Sequence, residues 1–385
     1  MILRAALLGL VLSAGAALAQ SAGPTPPDPA AAARAAAQRL SKATEGLDAA
    51  TSARDRVKAL SETIRAFEDG LAAMREGLRR ASIREQTLSR ELAAREGEIS
   101  RLVGVLLSMG DQRTPTLLLH PDGPTGTARA GMILADVTPA LNTRVAELRA
   151  KLDEVTTLRK LQDSARDTLE QGLTGVQAAR AQLSQAVADR TDLPRRFTED
   201  PVRTALLIAS AETLEGFASG LSEIAVDEAA GSLPDISHRK GKLTLPVQGR
   251  VLRGFMGADA AGIKRPGIIV ATRPRALVTT PAAATIRYHG PLLDYGNVMI
   301  LEPQSGLLFV VAGLDVVYGA TGQVLPAGSP IGLMGGTDPE IGEILTQSGE
   351  GAGNDRTETL YIEVREDNVP TDPSAWFSIA ETSRD

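Results

Sequence analysis

Few side chains in this 385-residue sequence could do metal or thiol chemistry, because it has no cysteine and three histidines. The lack of cysteine excludes a thiol nucleophile, a Cys-ligated zinc site and any disulfide. The histidines are His120, His238 and His289, and none stands at ligand spacing from another. A net charge of −6 gives no reason to expect nucleic acid as a partner. The composition therefore argues against most metal-dependent and thiol-dependent enzymes.

The C-terminal part of the sequence has the pattern of a β domain. Runs rich in β-branched residues alternate with Gly and Pro turns at 268–270, 298–301, 307–311 and 360–364. Such runs are typical of an antiparallel sheet or barrel. Most of the aromatic residues also follow residue 241, which places the compact core there. We therefore predict a multi-domain α plus β protein with a C-terminal antiparallel β domain at 242–385.

Residues 33–190 are predicted to form a long antiparallel coiled-coil hairpin. Apolar residues recur three and four apart from Ala33 to Leu78, and heptads resume at Leu141. Spacing that averages 3.5 residues keeps one seam on one side of a helix. Glycines and prolines between 109 and 140 predict a turn region there. A continuous helix over 33–108 would be about 110 Å long.

The first residues have the features of a secretory signal peptide. Arg4 precedes an apolar run, and Ala17-Leu18-Ala19 has the form of a cleavage site. The run is shorter than the ~20 residues that a membrane-spanning helix needs. We therefore expect residues 1–19 to be cleaved after Ala19 and the mature protein to be periplasmic. Residues 20–32 are predicted to be a disordered, Pro-rich leader.

A separate helical arm is predicted at residues 200–230. Its apolar residues stand at helical spacing but have no heptad continuity with the rod, so they must be buried on something else. These residues include Leu206, Leu207, Leu214, Phe217 and Leu221. The arm could be packed permanently on the C-terminal domain, or it could be a movable element that covers a binding surface. Residues 231–241 are predicted to link it to the β domain.

The order of motifs in residues 242–385 resembles a LytM domain of the M23 peptidase family. The motifs are 245–251, 265–269, 295–302, 324–332 and 359–365, with Trp376 closing the domain. Active members carry H-x-G-x-D and H-x-H for zinc and a catalytic histidine on a middle strand. The corresponding positions here are Arg265, Ile269, Gly313, Thr359 and Tyr361. The resemblance therefore implies a degenerate domain that binds no metal or cofactor and has no catalytic residue, since hydrolytic zinc needs about three N or O protein ligands.

The order of signal peptide, coiled-coil hairpin, helical arm and degenerate LytM domain resembles the EnvC-like family of murein hydrolase activators over nearly the whole mature chain. That resemblance implies a non-catalytic periplasmic protein that activates N-acetylmuramoyl-L-alanine amidases when septal peptidoglycan is split during cell division. It also implies that the coiled coil docks on the FtsEX transporter at the inner membrane. Residues 200–230 would then be a regulatory arm that covers the amidase-binding groove until the transporter moves it.

The amidase-binding groove implied by this resemblance is formed by Arg265, Ile269, Gly313, Tyr361 and Arg365. Loss of the metal ligands leaves apolar walls that can accept an amphipathic helix. Tyr361 offers a ring and a hydroxyl, and Arg365 offers a fork for a carboxylate of the partner. Ile269 and Tyr361 could instead fill the domain's own core.

Other classes of protein share parts of this pattern. A periplasmic adaptor of an efflux or secretion pump also combines a helical hairpin with a Gly-rich β region. In adaptors, however, two halves of a lipoyl-like domain flank the hairpin, whereas nothing β-like precedes Ala33. An envelope scaffold without an enzyme partner is a second alternative. An active zinc endopeptidase of murein is a third, and the missing ligands argue against it.

Overall fold

The computed structural model is a mixed α and antiparallel β protein, with helices in the N-terminal part and a sheet in the C-terminal part. The structure describes residues 29–97, 100, 101, 104, 123–198, 200–224, 235–258, 262–340, 342–344, 346 and 356–379. The predicted signal peptide lies outside these ranges and stays a prediction. Within them, no helix is both long and apolar enough to cross a membrane.

Two helices, α1 (Pro29–Asp48) and α2 (Ala53–Ala94), begin the rod. The prediction of one continuous helix from residue 33 is wrong, because the chain reverses between them. Ser52 caps α2: its hydroxyl accepts a hydrogen bond from the Asp55 amide at 3.1 Å and donates one to the Asp55 carboxylate at 2.7 Å. Residues 29–32, expected in the leader, already belong to α1, because a proline is tolerated in the first turn of a helix.

The third helix, α3 (Gly123–Ala188), is 66 residues long and corresponds to about 100 Å. The predicted turn region, 109–140, is therefore wrong for 123–140, while 109–122 lie outside the described residues. Pro124 falls in the first turn of the helix, where a backbone N–H would have no acceptor within the helix, so a proline is tolerated there. Pro139 lies inside the helix and removes one backbone hydrogen bond from a very long series.

Helices α2 and α3 run antiparallel, as the order of their contacts demonstrates. Arg84 pairs with Glu154 at 2.7 Å, and Glu91, further along α2, pairs with Lys151 at 2.6 Å. Near the other end of α2, Gly175 approaches Phe67 so closely that a Cβ there would lie 2.5 Å from the ring. The predicted hairpin of helices is present in this form, and its supercoiling stays a prediction.

The described residues of the C-terminal part form one antiparallel sheet of ten strands. The strands are β1 (Gly249–Arg253), β2 (Ile268–Thr272), β3 (Leu277–Thr279), β4 (Ala284–Pro291), β5 (Asn297–Gln304), β6 (Leu307–Val317), β7 (Val324–Leu325), β8 (Pro330–Met334), β9 (Glu358–Glu366) and β10 (Val369–Thr371). Their order in the sheet is β1-β2-β9-β6-β5-β4-β7; in addition, β10 pairs with β9, and β8 pairs with β3 and β6. These strands confirm the prediction of an antiparallel β region after residue 242.

The main core lies on one face of this sheet. Phe309 is fully buried there, and its ring centroid lies 6.1 Å from that of Trp376 and 5.5 Å from that of Phe377. Val270 of β2 and Val311 of β6 belong to the same cluster. Because successive residues of a strand point to opposite faces, each strand that contributes to this core also presents side chains on the other side.

The rod and the β domain share a second core, so the prediction of two separate domains joined by a linker needs correction. Leu173 and Val176 of α3 pack in one buried cluster with Leu277, Tyr318 and Leu333 of the β domain. The Tyr318 hydroxyl lies 2.9 Å from the Ser184 hydroxyl. Contacts between elements so distant in sequence have no periodic signal, which is why the sequence did not predict them.

A buried charge network lies at the centre of this junction. One carboxylate oxygen of Glu68 accepts hydrogen bonds from the Leu277 amide at 3.1 Å and from Arg180 at 3.2 Å. Arg180 also pairs with Asp338 at 2.9 Å. Burial raises the pKa of Glu68, while Arg180 and the Leu277 amide act in the opposite direction. The rod therefore contacts the β domain through ion pairs in which each charge is stabilised by its partner.

We predict that Arg180→Met lowers the free energy of unfolding by roughly 3–5 kcal/mol, because it leaves the Glu68 carboxylate buried without its cation. The measurement is chemical denaturation followed by circular dichroism. The matched control is Arg84→Met, which removes an arginine from an exposed ion pair of the same rod. Equal losses in the two variants would contradict the role assigned to this network.

Candidate interaction groove

The second face of the sheet has a mostly apolar area, and the predicted arm covers it. The arm consists of two helices, α4 (Pro201–Ser210) and α5 (Leu214–Ile224). The side chains beneath it form what we call the covered face: Tyr288, Leu292, Val298, Ile300, Leu308, Val310, Ala312 and Tyr361. Residues 225–230 of the predicted arm lie outside the described residues.

Helix α5 makes the main contact with the covered face. Leu214, Phe217, Ala218 and Leu221 are all buried, and their spacing puts them on one side of the helix. Phe217 has no exposed surface, and its ring stands edge-on to Tyr288 with centroids 4.7 Å apart. Three of the five predicted arm residues, Leu214, Phe217 and Leu221, thus lie on the sheet.

Helix α4 lies further out and holds the other two predicted arm residues. Asp200 caps it by accepting hydrogen bonds from the Val202 and Arg203 amides. Leu207 packs on α5, where a Cβ at Gly220 would lie 2.5 Å from its side chain. Leu206 is 69% exposed. Its expected burial is wrong, because α4 presents only a narrow side to α5.

A segment that we call the strap, residues 193–197, joins α3 to the arm and is bonded to the β domain. The Val324 amide donates to the Pro194 carbonyl at 2.9 Å, and the Arg196 amide donates to the Gly322 carbonyl at 2.8 Å. The Arg196 side chain is buried and pairs with Glu302 at 3.1 Å. On the other side of the arm, the Ile236 amide donates to Gln304 at 2.7 Å. Both ends of the arm are therefore attached to the sheet.

Three predicted groove residues meet on neighbouring strands. Ile269 of β2 pairs in register with Tyr361 of β9, and Tyr361 pairs with Ala312 of β6, beside Gly313. Gly313 has a φ of 96°, and a Cβ there would lie 2.8 Å from the Thr359 carbonyl oxygen. This position therefore requires glycine, and no side chain projects from it.

Arg265 reaches the same place through an aromatic contact. Its guanidinium lies 5.4 Å from the centroid of the Tyr295 ring, a cation–π distance. The Tyr295 ring lies 6.0 Å from that of Tyr361. The structure thus brings Arg265, Ile269, Gly313 and Tyr361 close together, and Tyr295 is a neighbour of theirs that sequence reasoning missed.

Arg365 differs from its prediction. Its side chain is 2% exposed and pairs with Glu363 at 2.7 Å. Its other amino group donates to the Asn368 carbonyl at 2.6 Å and to the Ser219 hydroxyl of the arm at 3.2 Å. The idea that its fork is open to a carboxylate of a partner is wrong, because Glu363 of the same strand uses it.

Tyr361, Glu363 and Arg365 form a row on one face of β9. The Tyr361 hydroxyl donates to Glu363 at 2.7 Å. Burial, and then the charge of Glu363, raise the pKa of this hydroxyl, so it remains a donor. Spacing of two residues on a strand puts side chains on the same face, and this signal could have identified Glu363 as the partner of both neighbours.

The groove has the wrong residues for a zinc ion. Ile269 has no ligating atom, Gly313 has no side chain, and Arg265 brings a positive charge. Among the described residues, no group of three or more His, Asp or Glu side chains could hold a metal. His238 lies in a short 3-10 helix and His289 on β4, whereas His120 is outside the described ranges.

Comparison with known proteins gives limited similarity. No protein-family model matches the chain. A curated relative, the uncharacterized protein NMB1333 of Neisseria meningitidis serogroup B, is 28% identical over 148 residues, which are 38% of this chain and 22% of that protein. The chain thus matches about a fifth of the length of that relative.

Several solved structures are similar to part of this chain. Csd3 of Helicobacter pylori has 18% identity and a TM-score of 0.27 over 37% of this chain and 36% of its own. A zinc-containing peptidase of Vibrio cholerae has 20% identity and a TM-score of 0.28 over 34% of this chain and 39% of its own. A chain of the SpoIIQ–SpoIIIAH pore-forming complex has 19% identity and a TM-score of 0.28 over 38% of this chain and 96% of its own. TM-scores this low support no conclusion about function.

We predict that Phe217→Ala loosens the arm without unfolding the sheet. Loss of a fully buried ring costs about 3–5 kcal/mol, and the ring belongs to the arm rather than to the main core. Amides of α5 should therefore exchange hydrogen about a hundredfold faster or more, while those of β5 and β6 stay protected. Leu206→Ala, at an exposed position of the same arm, is the control. Equal effects of the two substitutions would contradict the packing described here.

Proposed function

We propose that this protein is a non-catalytic activator of murein hydrolases, with a degenerate LytM-like domain whose groove binds a helix of an N-acetylmuramoyl-L-alanine amidase. The observation that carries the proposal is the position of α5, an amphipathic helix that lies on the covered face next to Ile269 and Tyr361. The protein's own chain thus supports the idea that this face accepts a helix. A partner helix would occupy the same surface once the arm has left.

The chemistry of the groove supports binding rather than hydrolysis. Positions that hold zinc ligands in active M23 peptidases have an apolar side chain at 269 and an aromatic one at 361. Apolar walls of this kind bind the apolar side of a helix through residues at i, i+3, i+4 and i+7. Buried aromatic anchors contribute a large share of the affinity in such interfaces. Tyr361, Tyr288 and Tyr295 are the candidates for this role.

The arm would make the activator switchable. In the closed form, Phe217 and Leu221 occupy the place of the partner, and Ser219 contacts Arg365. We propose that the FtsEX transporter, bound through the rod, shifts the balance toward the open form in the periplasm. A ligand can shift such a balance only by the difference between its affinities for the two forms.

An adaptor or an envelope scaffold without an enzyme partner is the alternative. It would use the rod and the shared core for assembly, and the arm would be a permanent part of the fold. It predicts that loosening the arm changes stability and nothing else, so a single variant separates the two proposals.

The test is release of dye from labelled murein by each purified N-acetylmuramoyl-L-alanine amidase of the same cell. We expect weak activation by the mature protein, activation about tenfold stronger or more by Phe217→Ala, and no release without amidase. The full chain is used because the β domain shares its second core with the rod. Leu206→Ala is the control and should behave like the unchanged protein. Activation of no amidase by either form would leave the scaffold proposal as the better one.

A further inference from the structure

Large apolar side chains lie exposed beside the groove, outside the area that the arm covers. Leu252 is 61% exposed, Met256 47%, Ile263 54% and Leu293 47%. We call these four residues the rim. Exposed apolar residues that occur singly are ordinary, but a group of this size next to a binding surface indicates contact with a partner.

A short series of contacts connects the rim to the groove. The Met256 amide donates to the Arg265 carbonyl at 3.1 Å, and the guanidinium of Arg265 lies over Tyr295. Leu293 belongs to the same 3-10 turn as Tyr295. On β1, Arg253 pairs in register with Ile269, so these two side chains share a face of the sheet. The rim therefore borders the groove.

The backbone of the rim is unusual in a way that keeps these side chains exposed. The pairing of β1 with β2 shifts between Val251 and Arg253, which leaves Leu252 in a β-bulge on an edge strand. Bulges of this kind often redirect a side chain next to a functional site. Met256 and Leu293 have φ angles of 55° and 49°, a left-handed conformation that large L residues rarely adopt. Such conformations concentrate at binding sites.

The rim is also basic in a protein whose net charge is −6. Arg250 and Lys264 are exposed, and Arg253 and Arg265 are partly exposed. Asp294, in the same turn as Leu293, is an exposed acidic residue beside these four basic ones, so basic residues outnumber it. Apolar side chains bordered mainly by cations are complementary to an amphipathic segment that carries carboxylates. The positive charge would speed the approach of such a segment, and it would do so while the arm is still closed.

We propose that the rim is the first contact of the amidase segment, a surface where that segment binds before the arm leaves. The proposal rests on the function proposed above and specifies how the closed form is recognised. The segment is an amphipathic helix with acidic residues beside its apolar side. Once bound at the rim, it has a high local concentration at the groove and takes the covered face each time the arm detaches.

This order of events has a kinetic consequence. In the closed protein, only rim contacts can form at first, so removing them should slow association. In a protein with a loosened arm, the covered face is directly accessible, so the same removal should matter much less. A rim that merely enlarges the final interface would instead act mainly on dissociation, and to the same extent in both proteins.

The test combines the rim variant Leu252→Ser/Met256→Ser/Ile263→Ser with an intact or a loosened arm, the latter through Phe217→Ala. The association rate constant with an immobilised amidase, one that the protein activates in the murein assay, is measured for each. We expect the rim variant to slow association about tenfold with the arm intact and less than about threefold with Phe217→Ala. The matched control is Leu152→Ser/Leu161→Ser, which changes rod residues that are 53% and 56% exposed.

A charge variant tests the electrostatic part. Arg250→Glu should slow association with the intact protein at low salt, and the difference should fall as ionic strength rises. Equal slowing by the rim variant in both arm backgrounds, or no slowing in either, would overturn the proposal while leaving the activator function in place. Loss of amidase activation in Phe217→Ala itself would instead overturn the proposed function and the rim with it.

A membrane surface is the competing occupant of a basic, apolar rim. Sedimentation with vesicles of anionic and of zwitterionic phospholipid distinguishes it. Binding to anionic vesicles that the rim substitutions abolish, together with unchanged association with the amidase, would assign the rim to lipid and overturn our proposal. No sedimentation with either vesicle, together with the expected rates, would support it.

Discussion

The central strands of the sheet are buried on both faces, mostly by apolar side chains, and this constraint governs the rest of the structure. Strands β5 and β6 have almost no exposed residue along most of their length. One face is covered by the domain's own core around Phe309 and Trp376. The other would present a row of aliphatic and aromatic side chains to water, at a cost of about 25 cal/mol for each Å² of apolar surface. An element of the same chain, α5, therefore covers it in the structure.

The second constraint is the junction of the rod with the sheet. Glu68 and Arg180 are buried and Asp338 is partly buried beside them, and separating the two parts would leave these charges without partners. The rod and the β domain therefore behave as one body through this contact, whereas the arm adheres mainly through apolar side chains. Apolar contacts are non-directional, so one amphipathic helix can replace another on the same face. In the proposed function, the first of these junctions is permanent and the second is exchangeable.

Part of this arrangement could be predicted from sequence. The change of period at residue 242 and the spacing of Leu214, Phe217 and Leu221 are local signals, and they gave the sheet and the packed side of α5. The reversal at 49–52 also had a local signal, Ser52 followed by Asp55, which the long apolar stripe obscured. The network around Glu68 had none, because its members come together only through the tertiary fold. The prediction for Arg365 failed for the same reason, because the type of a residue does not indicate which neighbour in the fold already forms an ion pair with it.

The strap and the bond from Ile236 to Gln304 attach the arm to the sheet on both sides. In the proposed function, an arm attached on both sides would move as a closed loop, and the length of that loop would set the entropy cost of its return. It would compete with an occupant of the covered face at an effective concentration in the range of about a millimolar. No external component would then be needed to restore the closed form. Activation would last only as long as the occupant stays bound.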